Sequence, residues 1–145
     1  MNDSTKILII DDDQLVSKVT RQVLEPAGYE VFEATNGEDG LLLARLHSPD
    51  LILMNVNMPG MNGMETCRRI KAQPETATAF VLMIAGSNDH IIPASLNKTN
   101  CEKYKGTSST ADYREFPGRT HYLIRQRGWE EIADYVAGWL SQHVV

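Results

Sequence analysis

Residues 50–63 read "DLILMNVNMPGMNG", and their reading decides the fold. "LILM" is an apolar run too short for a helix and flanked by polar residues, as expected of a strand buried on both faces. Met58, Pro59 and Gly60 supply a tight turn. "MNG" then opens a helix on which Met64, Cys67 and Ile70 share one face. At the carboxyl end of the strand stands Asn55, on the rim where open parallel sheets place their sites.

Working outward, the same unit recurs. "KILII" (6–10) is another buried strand, stopped by the acidic "DDDQ". Val16, Val19, Val23 and Leu24 follow at helical spacing, and Pro26 and Gly28 end that helix. "YEVFEA" reads as a second, more exposed strand. "TNGEDGLLLARLHS" is a helix capped by Asn36 or Thr35, with acidic residues in its first turn. "AFVLMIAG" is a fourth strand. Beyond Gly86 the rhythm loosens: "IPASLNKTNCEKY" is predicted as a helix with Pro93 in its first turn, and "ADYREF" as a fifth strand. "GWEEIADYVAGWLSQHV" is a final helix with Trp129, Ile132, Ala133, Val136, Ala137 and Leu140 in one stripe, which leaves Trp139 off it. Strict β-α alternation calls for a parallel sheet with helices on both faces. The expected architecture is α/β, a flavodoxin-like three-layer α/β/α sandwich of five parallel strands in the order 2-1-3-4-5. One domain is expected over residues 1–145.

Composition excludes several classes of function. A net charge of −5 argues against a nucleic-acid surface, which needs a basic stripe. Cys67 and Cys101 have no Cys or His at ligand spacing, so neither a disulfide scaffold nor a metal cage is expected. No apolar run is long enough for a signal peptide or a membrane span, and the chain is expected to be soluble and cytoplasmic. Met54, Met58, Met61 and Met64 read as packing around the turn and third helix. Residues 1–85 carry 12 acidic and 7 basic side chains against 7 of each in 86–145, a shift that hints at different histories for the two parts.

The rim carries the candidate chemistry. Asp11, Asp12 and Asn55 converge on one small pocket. Two carboxylates and a carbonyl oxygen suit a hard cation such as Mg²⁺; equally, the acidic residues could cap the first helix. Here residues 6–85 resemble the receiver domain of bacterial response regulators, through "ILIIDDD", "PDLILMNVNMPGMNG" and "VLMIAG". The resemblance implies a phosphoacceptor at position 55, an acidic pair at Asp11 and Asp12 holding Mg²⁺, and a metal-ligating carbonyl at Asn57. It also implies a hydroxyl residue at position 85 and a Lys after the fifth strand. This chain has Asn55 and Ala85, and no such Lys follows. The position is therefore expected to be inactive as an acceptor, with at most a weak Mg²⁺ site at Asp11, Asp12, Asn55 and Asn57, and no other cofactor.

Residues 81–145 resemble the C-terminal end of an α/β-hydrolase instead, with Asp89 at the position of the triad acid and His121 at that of the histidine. No Gly-x-Ser-x-Gly elbow supplies a nucleophile, so the pair is expected to be vestigial and the chain not an enzyme. The two resemblances meet at "FVLMIAGS". The expectation that follows is an engineered chimera, a fold-recombination protein without native catalytic or signalling activity. No partner is expected beyond a homodimer through an edge strand or helix face. A phosphorylation-independent pseudo-receiver acting by protein contacts, and a weak esterase using Asp89 and His121, are the alternatives.

Overall fold

The computed structural model describes residues 3–55, 58–87, 99, 102, 111–118, 127–128 and 130–143. The chain forms two compact units, Met1–Phe80 and Val81–Val145.

The first unit is built on three parallel strands. β1 (Lys6–Ile10) lies between β2 (Glu30–Ala34) and β3 (Leu51–Met54), with Ile10 level with Ala34 on one side and Met54 on the other. Alternation along β1 divides the core. Leu8 and Ile10 join Ala34, Leu41, Ala44, Ile52, Met58 and Ile70 in one cluster, against which Met54 and Met61 also pack. This is the face covered by α2 (Gly37–His47) and α3 (Gly63–Ala72). Ile7 and Ile9 point the other way, as do Val31 and Glu33 of β2. There Arg21 of α1 (Gln14–Leu24) donates to the Val31 carbonyl at 3.0 Å and lies 3.3 Å from Glu33. Ile7, Ile10 and Leu51 are fully buried, as continuous apolar strands covered on both faces require.

Each of α1, α2 and α3 begins at a side chain that satisfies an otherwise orphaned N–H. Asp13 Oδ1 accepts from Leu15 N at 3.0 Å and Val16 N at 3.4 Å. Asn36 Oδ1 accepts from Asp39 N at 2.8 Å, and Asn62 Oδ1 from Glu65 N at 2.9 Å. Asn36, not Thr35, is thus the cap of α2. At the opposite end of α3, Lys71 turns inward and donates to the carbonyls of Ala77 and Ala79. Burial pushes its ammonium below the usual lysine range.

On the surface of α3, Glu65 accepts from Arg68 at 2.7 and 2.8 Å and from Arg69 at 2.8 Å. The Arg68 and then the Arg69 hydrogen bonds pull its carboxyl from 4.5 down to about 2. A carboxylate depressed in the folded state contributes stability that is fully present above its unfolded value and lost as pH falls through the folded one. The contribution of Glu65 should therefore fade between about 4.5 and about 2. Carboxyl ¹³C titration should put its midpoint near 2, moving back towards 4.5 in Arg68→Ala/Arg69→Ala; an unmoved midpoint would contradict the assignment.

In the second unit β4 (Phe80–Gly86) pairs in parallel with β5 (Ala111–Phe116), Val81 opposite Ala111 and Gly86 opposite Phe116. Ser87 ties the two strand ends together. Its N–H donates to Phe116 O at 3.1 Å and its Oγ accepts from Gly118 N at 2.7 Å. The last helix, α4 (Glu130–His143), buries Ile132, Val136, Trp139 and Leu140. Trp139 is 4% exposed and belongs to the stripe. The expectation that it lies off the stripe is corrected, because a spacing of seven from Ile132 returns to the same face. Of the helix expected over "IPASLNKTNCEKY", Thr99 and Glu102 are helical; Pro93 and Cys101 lie outside the described residues, as does Trp129. No helix among the described residues is long and apolar enough to cross a membrane.

Candidate functional site

Backbone register brings the rim residues of the first unit together before any side chain acts. Asn55 N donates to Ile10 O at 2.9 Å, and Asp11 N to Ala34 O at 3.0 Å. The sheet ladder therefore runs one residue past β1 and β3 and sets Asp11 beside Asn55.

The three aspartates after β1 then divide their tasks. Asp13 caps α1. Asp11 Oδ1 accepts from Asp13 N at 2.8 Å, and so faces back into the pocket. Asn55 Nδ2 donates to Asp12 Oδ1 at 3.0 Å and, more distantly, to Asp11 Oδ1 at 3.4 Å. The capping and pocket-forming roles left open by the residue types both occur, on different aspartates. Asp13 went unnoticed as the cap; its position immediately before "QLV" was the signal.

The direction of the Asn55 amide has a physical cause. Ionised carboxylates only accept hydrogen bonds, so the NH₂ end must face them; an oxygen there would be repelled. The Asp11 carboxyl is raised above its ordinary value, chiefly by burial and secondarily by the neighbouring charge of Asp12. The Asp13 N–H and the Asn55 amide oppose that rise. As arranged, position 55 presents donors to the acidic pair, whereas a hard cation there would require an acceptor oxygen. Among the described residues no group of three His, Cys, Asp or Glu side chains is placed to hold a metal ion.

Other rim positions fall differently. Ala85 is the penultimate residue of β4. Lys105 is the last lysine in the sequence, so none follows β5. Asn57, Asp89 and His121 lie outside the described residues. Cys67 is a buried thiol on the apolar face of α3, and Met58 is 5% exposed within the core, as their spacing predicts.

The family model described as the response regulator receiver domain matches residues 7–103. The chain is 38% identical over 79 residues to protein PilH of Pseudomonas aeruginosa, covering 54% of this chain and 65% of that protein. It is 32% identical over 98 residues to the polar-differentiation response regulator DivK of Brucella anthropi, covering 68% of this chain and 80% of that protein. Among solved structures, chemotaxis protein CheY4 of Vibrio cholerae aligns with a TM-score of 0.69 at 23% identity, over 97% of this chain and 99% of that one.

These findings overturn two sequence expectations. The family match runs through Gly86 to residue 103, across the point where a change to an α/β-hydrolase segment was expected. The likeness to CheY4 likewise extends over nearly the whole chain. The hydrolase-like reading of 81–145, with Asp89 and His121 as a vestigial pair or weak esterase, is corrected. So is the reading of an engineered chimera without native function, because matching relatives such as DivK of Brucella anthropi and NarL of Escherichia coli are named as response regulators of bacteria. The error has a physical root: a parallel strand ending in a polar rim loop is common to all open α/β sheets, so short motifs there do not separate families.

Proposed function

Because the chain belongs to the response regulator receiver domain family and has its flavodoxin-like α/β fold, we propose that it is a signalling module that binds its partner without accepting a phosphoryl group at position 55. The expectation of no partner falls with family membership, since a receiver serves a signalling pathway. The partner class proposed is a histidine kinase or an effector domain. We also propose one domain with its strands in the order 2-1-3-4-5, which the parallel β2-β1-β3 and β4-β5 pairings support.

The observation that carries this reading is Asn55 at the end of β3, bonded through its NH₂ to Asp12 and Asp11. A carboxylate can take a phosphoryl group because it is anionic and nucleophilic. An amide oxygen is neutral, and the nitrogen lone pair is delocalised into the carbonyl. With Ala85 offering no hydroxyl and no lysine beyond Lys105, the groups that would steady a phosphorylated residue are missing as well. What remains is the fold and its surface.

Incubation with a small phosphodonor and Mg²⁺, followed by intact mass measurement, should give no covalent phosphoryl adduct on the protein. An adduct on Asn55 would defeat the reading. Pull-down with histidine kinase and effector domains should recover a specific partner from one of those classes; recovery of neither would remove the contact-based role.

A further inference from the structure

We propose that the Asn55 amide is a built-in substitute for a divalent cation, holding the acidic pair together so that the rim of this receiver is set without metal. The proposal rests on the functional reading above and extends it to regulation: neither Mg²⁺ nor a phosphoryl group would switch this pocket.

Two neighbouring carboxylates repel each other and need a positive or donor group between them. In this chain that group is covalently attached. Asn55 Nδ2 reaches Asp12 Oδ1 at 3.0 Å and Asp11 Oδ1 at 3.4 Å, so one NH₂ group spans both side chains. Neither end of this bridge depends on a long flexible arm. Asn55 is fixed by its own N–H to Ile10 O at 2.9 Å, and Asp11 by the Asp13 N–H at 2.8 Å. A cation entering between Asp11 and Asp12 would displace the amide donors, or would force the amide to turn its oxygen inward. It would also meet one formal charge fewer than a carboxylate at position 55 provides. The donor set thus disagrees with a resident Mg²⁺, and the disagreement is local to one side chain.

The test uses the full chain with Mg²⁺ and, as a paramagnetic stand-in, Mn²⁺. The wild-type thermal midpoint should be the same in chelator and in millimolar Mg²⁺. Asn55→Asp should have a lower midpoint in chelator, recover with Mg²⁺, and bind Mn²⁺ at least roughly tenfold more tightly, as one added unit charge at ligand distance implies. Should Asn55→Asp fail to fold, the wild-type protein decides alone through its NMR spectrum. The Asn55 side-chain NH₂ resonances should persist at stoichiometric Mn²⁺. Their selective broadening, or a wild-type midpoint that rises with Mg²⁺ as far as that of Asn55→Asp, would overturn the proposal. A phosphoryl adduct would defeat the functional reading without bearing on cation affinity, so the two can fail separately.

Discussion

Ile10→Ala should destabilise the protein by about 4 kcal/mol, measured as a lower urea midpoint at unchanged slope. Removing a buried Ile side chain to Ala costs about 2–5 kcal/mol, and the value within that range depends on how far the surroundings can close in. Ile10 is fully buried. It lies in the central strand of the first unit, with β2 and β3 hydrogen-bonded on its two sides, so neither neighbour can shift sideways. Above it lies Gly40 of α2, where an added Cβ would stand 2.5 Å from Ile10 Cδ1. The contact is side chain against helix backbone, with no rotamer free to swing into the void. A value near the upper end is therefore expected. Against a typical total of about 5–15 kcal/mol, that is enough to leave a marginal domain partly unfolded. Leu46→Ala serves as the control, because Leu46 is 69% exposed and its loss should be nearly neutral. A loss below about 2 kcal/mol for Ile10→Ala would mean that α2 closes onto the sheet, contrary to the contact described.

Much of this geometry was legible from residue spacing. The runs "KILII" and "LILM" marked buried strands because apolar continuity is what two covered faces demand. Convergence of Asp11, Asp12 and Asn55 followed from placing the ends of two strands, β1 and β3, on one rim. Spacing, however, identifies which residues share a place and not which atoms face each other. It could not say that the NH₂ end of Asn55 turns to the carboxylates, nor that the third aspartate takes the cap. Lys71 stands with Arg69 in the last turn of α3, and spacing does not set the two apart. That the Lys71 ammonium turns inward to the 73–79 segment depends on where two backbone carbonyls fall. Residues 81–145 differ in another way: a parallel strand followed by a polar rim loop is common to open α/β sheets, and it is the family match running on to residue 103 that separates them.

Gly37→Ala should destabilise by about 2 kcal/mol, although helix propensity alone predicts a gain. Alanine is better than glycine inside a helix by up to about 1 kcal/mol, and it narrows the unfolded ensemble as well. Gly37 has no left-handed backbone to protect, so nothing local forbids the change. The obstacle is tertiary. "TNG" at 35–37 and "MNG" at 61–63 both start helices, and the two helix entries meet. A Cβ on Gly37 would lie 2.3 Å from Thr66 Oγ1 and 3.0 Å from the Met61 carbonyl. Thr66 has no room to give way. It is fully buried, and its hydroxyl donates to Asn62 O at 2.8 Å, so turning it aside would strand a buried polar group. The Met61 carbonyl is backbone and can move only with the turn that follows Asn55. Overpacking of this sort costs about 1–3 kcal/mol, which outweighs the propensity gain. The double variant Gly37→Ala/Thr66→Ala separates the causes. If the Oγ1 contact dominates, it should be at least about 1 kcal/mol more stable than the sum of the single changes predicts, as expected for residues in direct contact. Additive losses would place the strain on the Met61 carbonyl instead. A neutral or stabilising Gly37→Ala would show that the two helix entries are not held as close as the structure has them.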